Sequence, residues 1–120
     1  MSRPTPYGDK VDVKLLFICS RNKWRSLTAE HVLGGVGGHV VRSAGTEAGA
    51  RVRVTEGLIG WADLIFVMEK KHLARLRERF PDLVAVKKIV CLHIPDDYEY
   101  MEEDLIDLLR SKVSEHVDLD

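Results

Sequence analysis

Residues 11–26 read VDVKLLFICSRNKWRS, and the fold follows from the change of character at Cys19. Up to that point the stretch is β-branched and aliphatic, closing on the unbroken apolar run Leu15, Leu16, Phe17, Ile18, Cys19. A strand with one solvated face alternates in polarity, whereas an unbroken run marks a strand covered on both faces. Ser20 to Arg25 is abruptly polar. From Ser26, the residues Leu27, Ala29, Val32 and Leu33 share one helical face, up to the glycine cluster Gly34, Gly35, Gly37 and Gly38. A buried strand therefore feeds a polar loop that opens a helix.

The rest of the chain repeats that rhythm. Residues 39–42, 63–68 and 86–92 read as further strands, and 43–51 and 93–100 as loops. A helix is expected over 52–61, weakened by Gly57 and Gly60. A second is expected over 69–80, with Leu73, Leu76 and Phe80 on one face and Pro81 as its stop. A third, over 101–117, carries Leu105, Ile106, Leu108, Leu109, Val113 and Val117 on its apolar side. Strands alternating with helices predict an α/β fold: one domain, a four-stranded parallel sheet with helices on both faces. In such sheets the ligand crevice lies beyond the carboxyl ends of the strands, which selects the loops 19–25, 43–51 and 93–100.

Length and charge narrow the class. The 120 residues fit a single core, placed over 11–120 behind a flexible lead-in, 1–10, that contains Pro4, Pro6 and Gly8. A net charge of −1 gives no basic field to attract nucleic acid or a membrane surface. The lead-in lacks the apolar centre of a secretory signal. Its absence makes the two cysteines, Cys19 and Cys91, reduced thiols of a cytoplasmic protein. Cys91 reads as a small hydrophobe inside a strand, Trp61 as core, and Tyr100 as the edge of the core. His31 and His72 read as helix-face residues, and His93 as solvated. The five histidines lack metal-ligand spacing, so no metal is expected. Arg51 and Arg53 read as solvated or as steering an anion.

The chemistry concentrates in Cys19-Ser20-Arg21-Asn22-Lys23-Trp24-Arg25-Ser26. A turn between strand and helix aims successive backbone N–H groups inward and adds the helix N-terminus, making a concave oxyanion site. Arg25 at its far end offers two parallel N–H bonds to two phosphate oxygens. Cys19 at its near end sits among the same donors, which stabilise a thiolate.

This segment, followed by Thr28-Ala29-Glu30, resembles the phosphate loop and first helix of the low-molecular-weight protein tyrosine phosphatases. Ser43-Ala44-Gly45-Thr46 resembles the segment after that family's second strand. Ala62 to Met68 resembles its third strand, and Ile94-Pro95-Asp96-Asp97-Tyr98 its general-acid loop. The resemblance implies that Cys19 is the nucleophile and Arg25 the phosphate ligand. Asn22, assisted by Ser43, fixes the loop, and Ser26 hydrogen-bonds the sulfur. Ser20, Arg21, Lys23 and Trp24 complete the phosphate loop. Tyr98 reads as flanking the opening or capping the edge of the core. Asp96 is the acid, with Asp97 the alternative. The family implies no metal and no cofactor. Its substrates would be a phosphorylated protein or a small aryl phosphate, releasing inorganic phosphate.

Four departures stand out. Leu27 replaces a proline, Trp24 replaces a frequent second cysteine, Asp97 replaces the acid-loop proline, and the stretch after Thr46 is compressed. Three rivals remain at this level. An arsenate reductase needs two further cysteines, a phosphocysteine carrier does not need Arg25 and Asp96 together, and a phosphate-binding module would have lost the acid.

Overall fold

The computed structural model describes residues 13–119. The expected lead-in over 1–10 and the start of the first expected strand lie outside the described residues. The strands are β1 (Lys14–Cys19), β2 (Val40–Gly45), β3 (Leu64–Val67) and β4 (Ile89–Cys91). The helices are α1 (Arg25–Leu33), α2 (Glu56–Trp61), α3 (Lys70–Arg79), α4 (Pro81–Val86) and α5 (Glu103–Val113), with a 3-10 turn at Val36–Gly38. All strands are parallel, in the order β2-β1-β3-β4. Among the described residues no helix is long and apolar enough to cross a membrane.

The central strand has two buried faces because its side chains alternate across the sheet. Leu15, Phe17 and Cys19 join the core beneath α1 and α5, with Phe66, Leu105 and Leu109. Leu16 and Ile18 join the opposite core, with Ile59, Leu76 and Val84 from α2, α3 and α4. Burying each such side chain stabilises by about 1.5–3 kcal/mol. The Phe17 and Phe66 rings stack with centroids 5.0 Å apart, worth about 1 kcal/mol more. These two layers fix β1, and so fix where Cys19 emerges.

Several expected boundaries shift. Strand β2 runs on to Gly45, because Ser43, Ala44 and Gly45 pair with Phe17, Ile18 and Cys19; the expected loop 43–51 loses its first three residues to the sheet. Pro81 ends α3 but does not end helix. It occupies the first turn of α4, where its missing N–H costs nothing. Val86 consequently belongs to α4, and β4 shortens to three residues. Helix α2 begins only at Glu56, where the Thr55 hydroxyl accepts the Leu58 N–H at 3.2 Å. Trp61 is only partly buried, with the Arg42 guanidinium 4.4 Å above its ring.

Gly45 lies opposite Cys19 in register, and the chain leaving Cys19 crosses directly over it. A Cβ there would stand 2.6 Å from the Ser20 carbonyl oxygen and 2.9 Å from the Arg21 carbonyl carbon. Neither backbone atom can yield without moving the loop. Gly45→Ala is therefore expected to cost about 1–3 kcal/mol through overpacking, measured as a lowered midpoint in thermal or urea unfolding.

Candidate active site

The loop after β1 is polarised by its own backbone. The carbonyl of Cys19 accepts the Thr46 N–H, that of Ser20 the Glu47 N–H, and that of Arg21 the Arg51 N–H, each at 3.0 Å. Arg51 Nε reaches the Asn22 carbonyl at 3.4 Å. The short stretch after β2 thus takes up one carbonyl after another. Among the described residues, no backbone N–H of residues 20–24 has a protein acceptor, and no side chain caps the N-terminus of α1. Carbonyls turned out and amides left over are the arrangement that holds an anion. Arg51, read from sequence as solvated or as steering an anion, braces the loop.

Asn22 makes the bend. It has φ +58° and is fully buried, a left-handed conformation that asparagine tolerates better than most residues. Its amide donates to Ser26 Oγ at 2.9 Å and to Ser43 Oγ at 2.8 Å. Ser43 passes its own hydrogen to Glu30 at 2.6 Å. Ser26 Oγ, occupied as an acceptor by Asn22, lies 2.9 Å from Cys19 Sγ and has its hydrogen free for the sulfur. A relay therefore runs from Glu30 to the thiol through Ser43, Asn22 and Ser26.

Arg25 is 3 % exposed. Its Nη1 donates to the Glu69 carboxylate and to the Ile94 carbonyl, the latter at 2.8 Å. Both hydrogens of that nitrogen are then committed, which leaves Nε and Nη2 as the fork for an oxyanion. Asp96 Oδ1 lies 3.8 Å from Nε. Glu69 is held below the usual carboxylate range: burial alone would raise it, but the hydrogen bond and charge of Arg25, helped by Lys71 and His72, outweigh that.

His72 supports the same corner from beneath. It is buried, accepts the Glu69 N–H on Nδ1 at 3.0 Å, and therefore donates from Nε2 to Ser20 Oγ at 3.0 Å. Burial, then the nearby Arg25 charge, lowers its pKa to about 4, so the ring is neutral at pH 7. Sequence reading placed His72 on an ordinary helix face and passed over Glu69. The signal available was their spacing of three at the start of α3, where each can bond the other's backbone.

Cys19, Ser20, Arg21, Lys23, Trp24, Arg25 and Asp96 line one cavity of about 380 Å³, with Glu47 and Lys71. Trp24, 47 % exposed, stands at its rim. Asn22, Ser26 and Ser43 are buried behind the lining rather than in it. Tyr98, read as flanking the opening or capping the core edge, packs partly buried against the α1/α5 core and does not line the cavity. Asp97 is exposed and does not line the cavity. Tyr100 is exposed rather than at the core edge, and hydrogen-bonds His31. Cys91 is half-buried at the end of β4, with His93 Nδ1 3.6 Å from its sulfur.

Solved structures share this arrangement of strands and helices. Wzb, the tyrosine phosphatase of Escherichia coli K30 solved with phosphate, superposes with a TM-score of 0.67 at 24% identity, over 88% of this chain and 95% of that one. The low-molecular-weight protein tyrosine phosphatase of Streptococcus pyogenes gives 0.70 at 18%, over 85% and 89%. The fold is that of the low-molecular-weight phosphatases. The YwlE arginine phosphatase of Geobacillus stearothermophilus shares it too, with a TM-score of 0.65 at 22% identity, over 86% of this chain and 91% of that one. No protein-family model and no curated protein matches the sequence. At these identities the low-molecular-weight phosphatase fold is what is shared, and it places Cys19 after the first strand.

Two outcomes test the site's construction. Asn22→Ala removes two hydrogen bonds and the residue's tolerance of the left-handed bend. Phosphate affinity should fall on the order of tenfold or more through misplaced amides, with Asn22→Gly intermediate, read by isothermal titration. For His72, the folded pKa of about 4 lies below the ordinary imidazole value of 6.5. The unfolded chain therefore binds the proton first, so the stability gained from the neutral ring is complete above the unfolded value and is lost as pH falls toward 4. His72→Gln should show a shallower loss of urea stability than wild type between those limits.

Proposed function

We propose that this chain is a cysteine-dependent phosphatase that hydrolyses phosphate monoesters. The reading rests on one observation: a sulfur, a buried guanidinium with two nitrogens to spare, and a carboxylate 3.8 Å from that guanidinium all border one cavity. The Cys19 thiolate attacks phosphorus in line, while Arg25 and the unpaired amides of residues 20–24 hold the equatorial oxygens. The phosphorus–oxygen bond to the leaving group breaks, and Asp96 gives that oxygen its proton. The Asp96 carboxylate then takes a proton from water, whose oxygen attacks phosphorus. The sulfur–phosphorus bond breaks, releasing inorganic phosphate and the thiolate. Ser26 stabilises that sulfur by hydrogen bonding in both steps.

Asp96 is the acid rather than Asp97 in this reading, because Asp96 lines the cavity and lies near Arg25. The substrate is phosphotyrosine in a protein. An aryl leaving group suits Trp24, whose ring at the rim can stack on another. The nucleophilic thiol requires a reducing compartment, as in the cytoplasm. Arsenate reduction is disfavoured because only Cys91 remains as a further cysteine, and a disulfide relay needs two.

Hydrolysis of 4-nitrophenyl phosphate tests the assignment. Cys19→Ser should abolish turnover, and Asp96→Ala should lower kcat by about 10²–10⁴-fold, while Asp97→Ala stays near wild type. A dead Asp97→Ala beside an active Asp96→Ala would transfer the acid role. A wild-type protein that binds phosphate tightly without turnover would make the chain a phosphate-binding module.

A further inference from the structure

The mouth of the cavity carries charge that the chemistry above does not use. Arg21, Lys23 and Lys71 line it in addition to Arg25, and all three are exposed. Lys23 has no hydrogen-bond or ion-pair partner among the described residues. Among the described residues Arg21 is paired with Glu47 alone, at 3.3 Å, and both side chains of that pair are largely solvated. Lys71 stands 3.8 Å from Glu69, whose carboxylate is already engaged by Arg25. Exposed pairs of this kind hold their partners weakly, so both cations can turn to an incoming anion.

The transferred phosphate does not need these cations, since Arg25 and the loop amides already face it. The lining holds two carboxylates, Glu47 and Asp96, against Arg25 and three outer cations. Cations therefore outnumber carboxylates at the mouth, and an excess of one sign concentrates ligands of the other. Building on the phosphatase reading, we propose that Lys23, supported by Arg21 and Lys71, selects phosphotyrosine flanked by acidic residues. A neighbouring Asp or Glu carboxylate would meet Lys23 while the phosphate lies on the loop.

Three phosphotyrosine peptides differing only in their flanks (Glu and Asp, Ala, or Lys) test this beside 4-nitrophenyl phosphate. The wild-type kcat/KM should favour the acidic over the neutral peptide by about tenfold, from several ion pairs of a fraction of a kcal/mol each. Screening at roughly 1 M salt should shrink that ratio toward unity. Within Lys23→Met the ratio of acidic to neutral peptide should fall severalfold, and Lys23→Glu should favour the lysine-flanked peptide. Because each comparison is a ratio within one protein, a general loss of activity does not obscure it. Should Lys23→Glu fail to fold, Lys71→Glu supplies the same reversal. A wild-type ratio near unity, or one unmoved by salt, overturns the proposal and leaves the phosphatase reading standing if 4-nitrophenyl phosphate is still hydrolysed. Turnover of none of the four compounds overturns both.

Discussion

The site depends on a constraint of backbone direction. Residues 19–22 turn their carbonyls toward the segment after β2, where amides of residues 46, 47 and 51 and the Arg51 side chain take them up. A peptide unit whose oxygen is held on one side presents its N–H on the other, so the amides of the loop face the cavity together. Asn22 makes the reversal possible by accepting a left-handed φ, and its side chain secures the turn between two serines. Gly45 leaves the space over which the loop passes. Once that bend is set, the orientation of Arg25 and the hydrogen bond to Cys19 follow from the start of α1.

Much of this was legible because the residues concerned are local in sequence. Cys19, Asn22, Arg25 and Ser26 stand within eight positions, and a buried strand running into a polar turn and a helix leaves few conformations open. The parallel sheet was legible for the same reason, since apolar runs separated by helical patterns admit little else. Boundaries were less readable where tertiary pairing overrode composition. Ser43 to Gly45 looks like loop but completes the sheet because β1 offers partners as far as Cys19. Pro81 reads as a terminator, yet one residue suffices to begin a new helix in a new direction.

Two supports contributed by the start of α3 were hidden. The sequence around His72 offers its spacing from Glu69 but not its other partner, Ser20, 52 positions earlier in the chain. Glu69 is likewise an unremarkable acid until Arg25 reaches it. Tyr98 illustrates the converse: its position beside Asp96 drew it toward the opening, whereas the demand of the α1/α5 core for apolar surface drew it inward. An aromatic ring next to a site goes where more of its surface leaves water.

The bond from Arg25 to the Ile94 carbonyl has a wider consequence. It spaces the loop that carries Asp96 from the loop that carries Cys19 through a main-chain atom, which every residue type supplies. The spacing of Cys19 and Asp96 is thereby uncoupled from the side chains of Asp97, Glu99, Tyr100 and Met101, which face solvent. That rim can vary in sequence while the separation of sulfur and carboxylate stays where the scaffold set it.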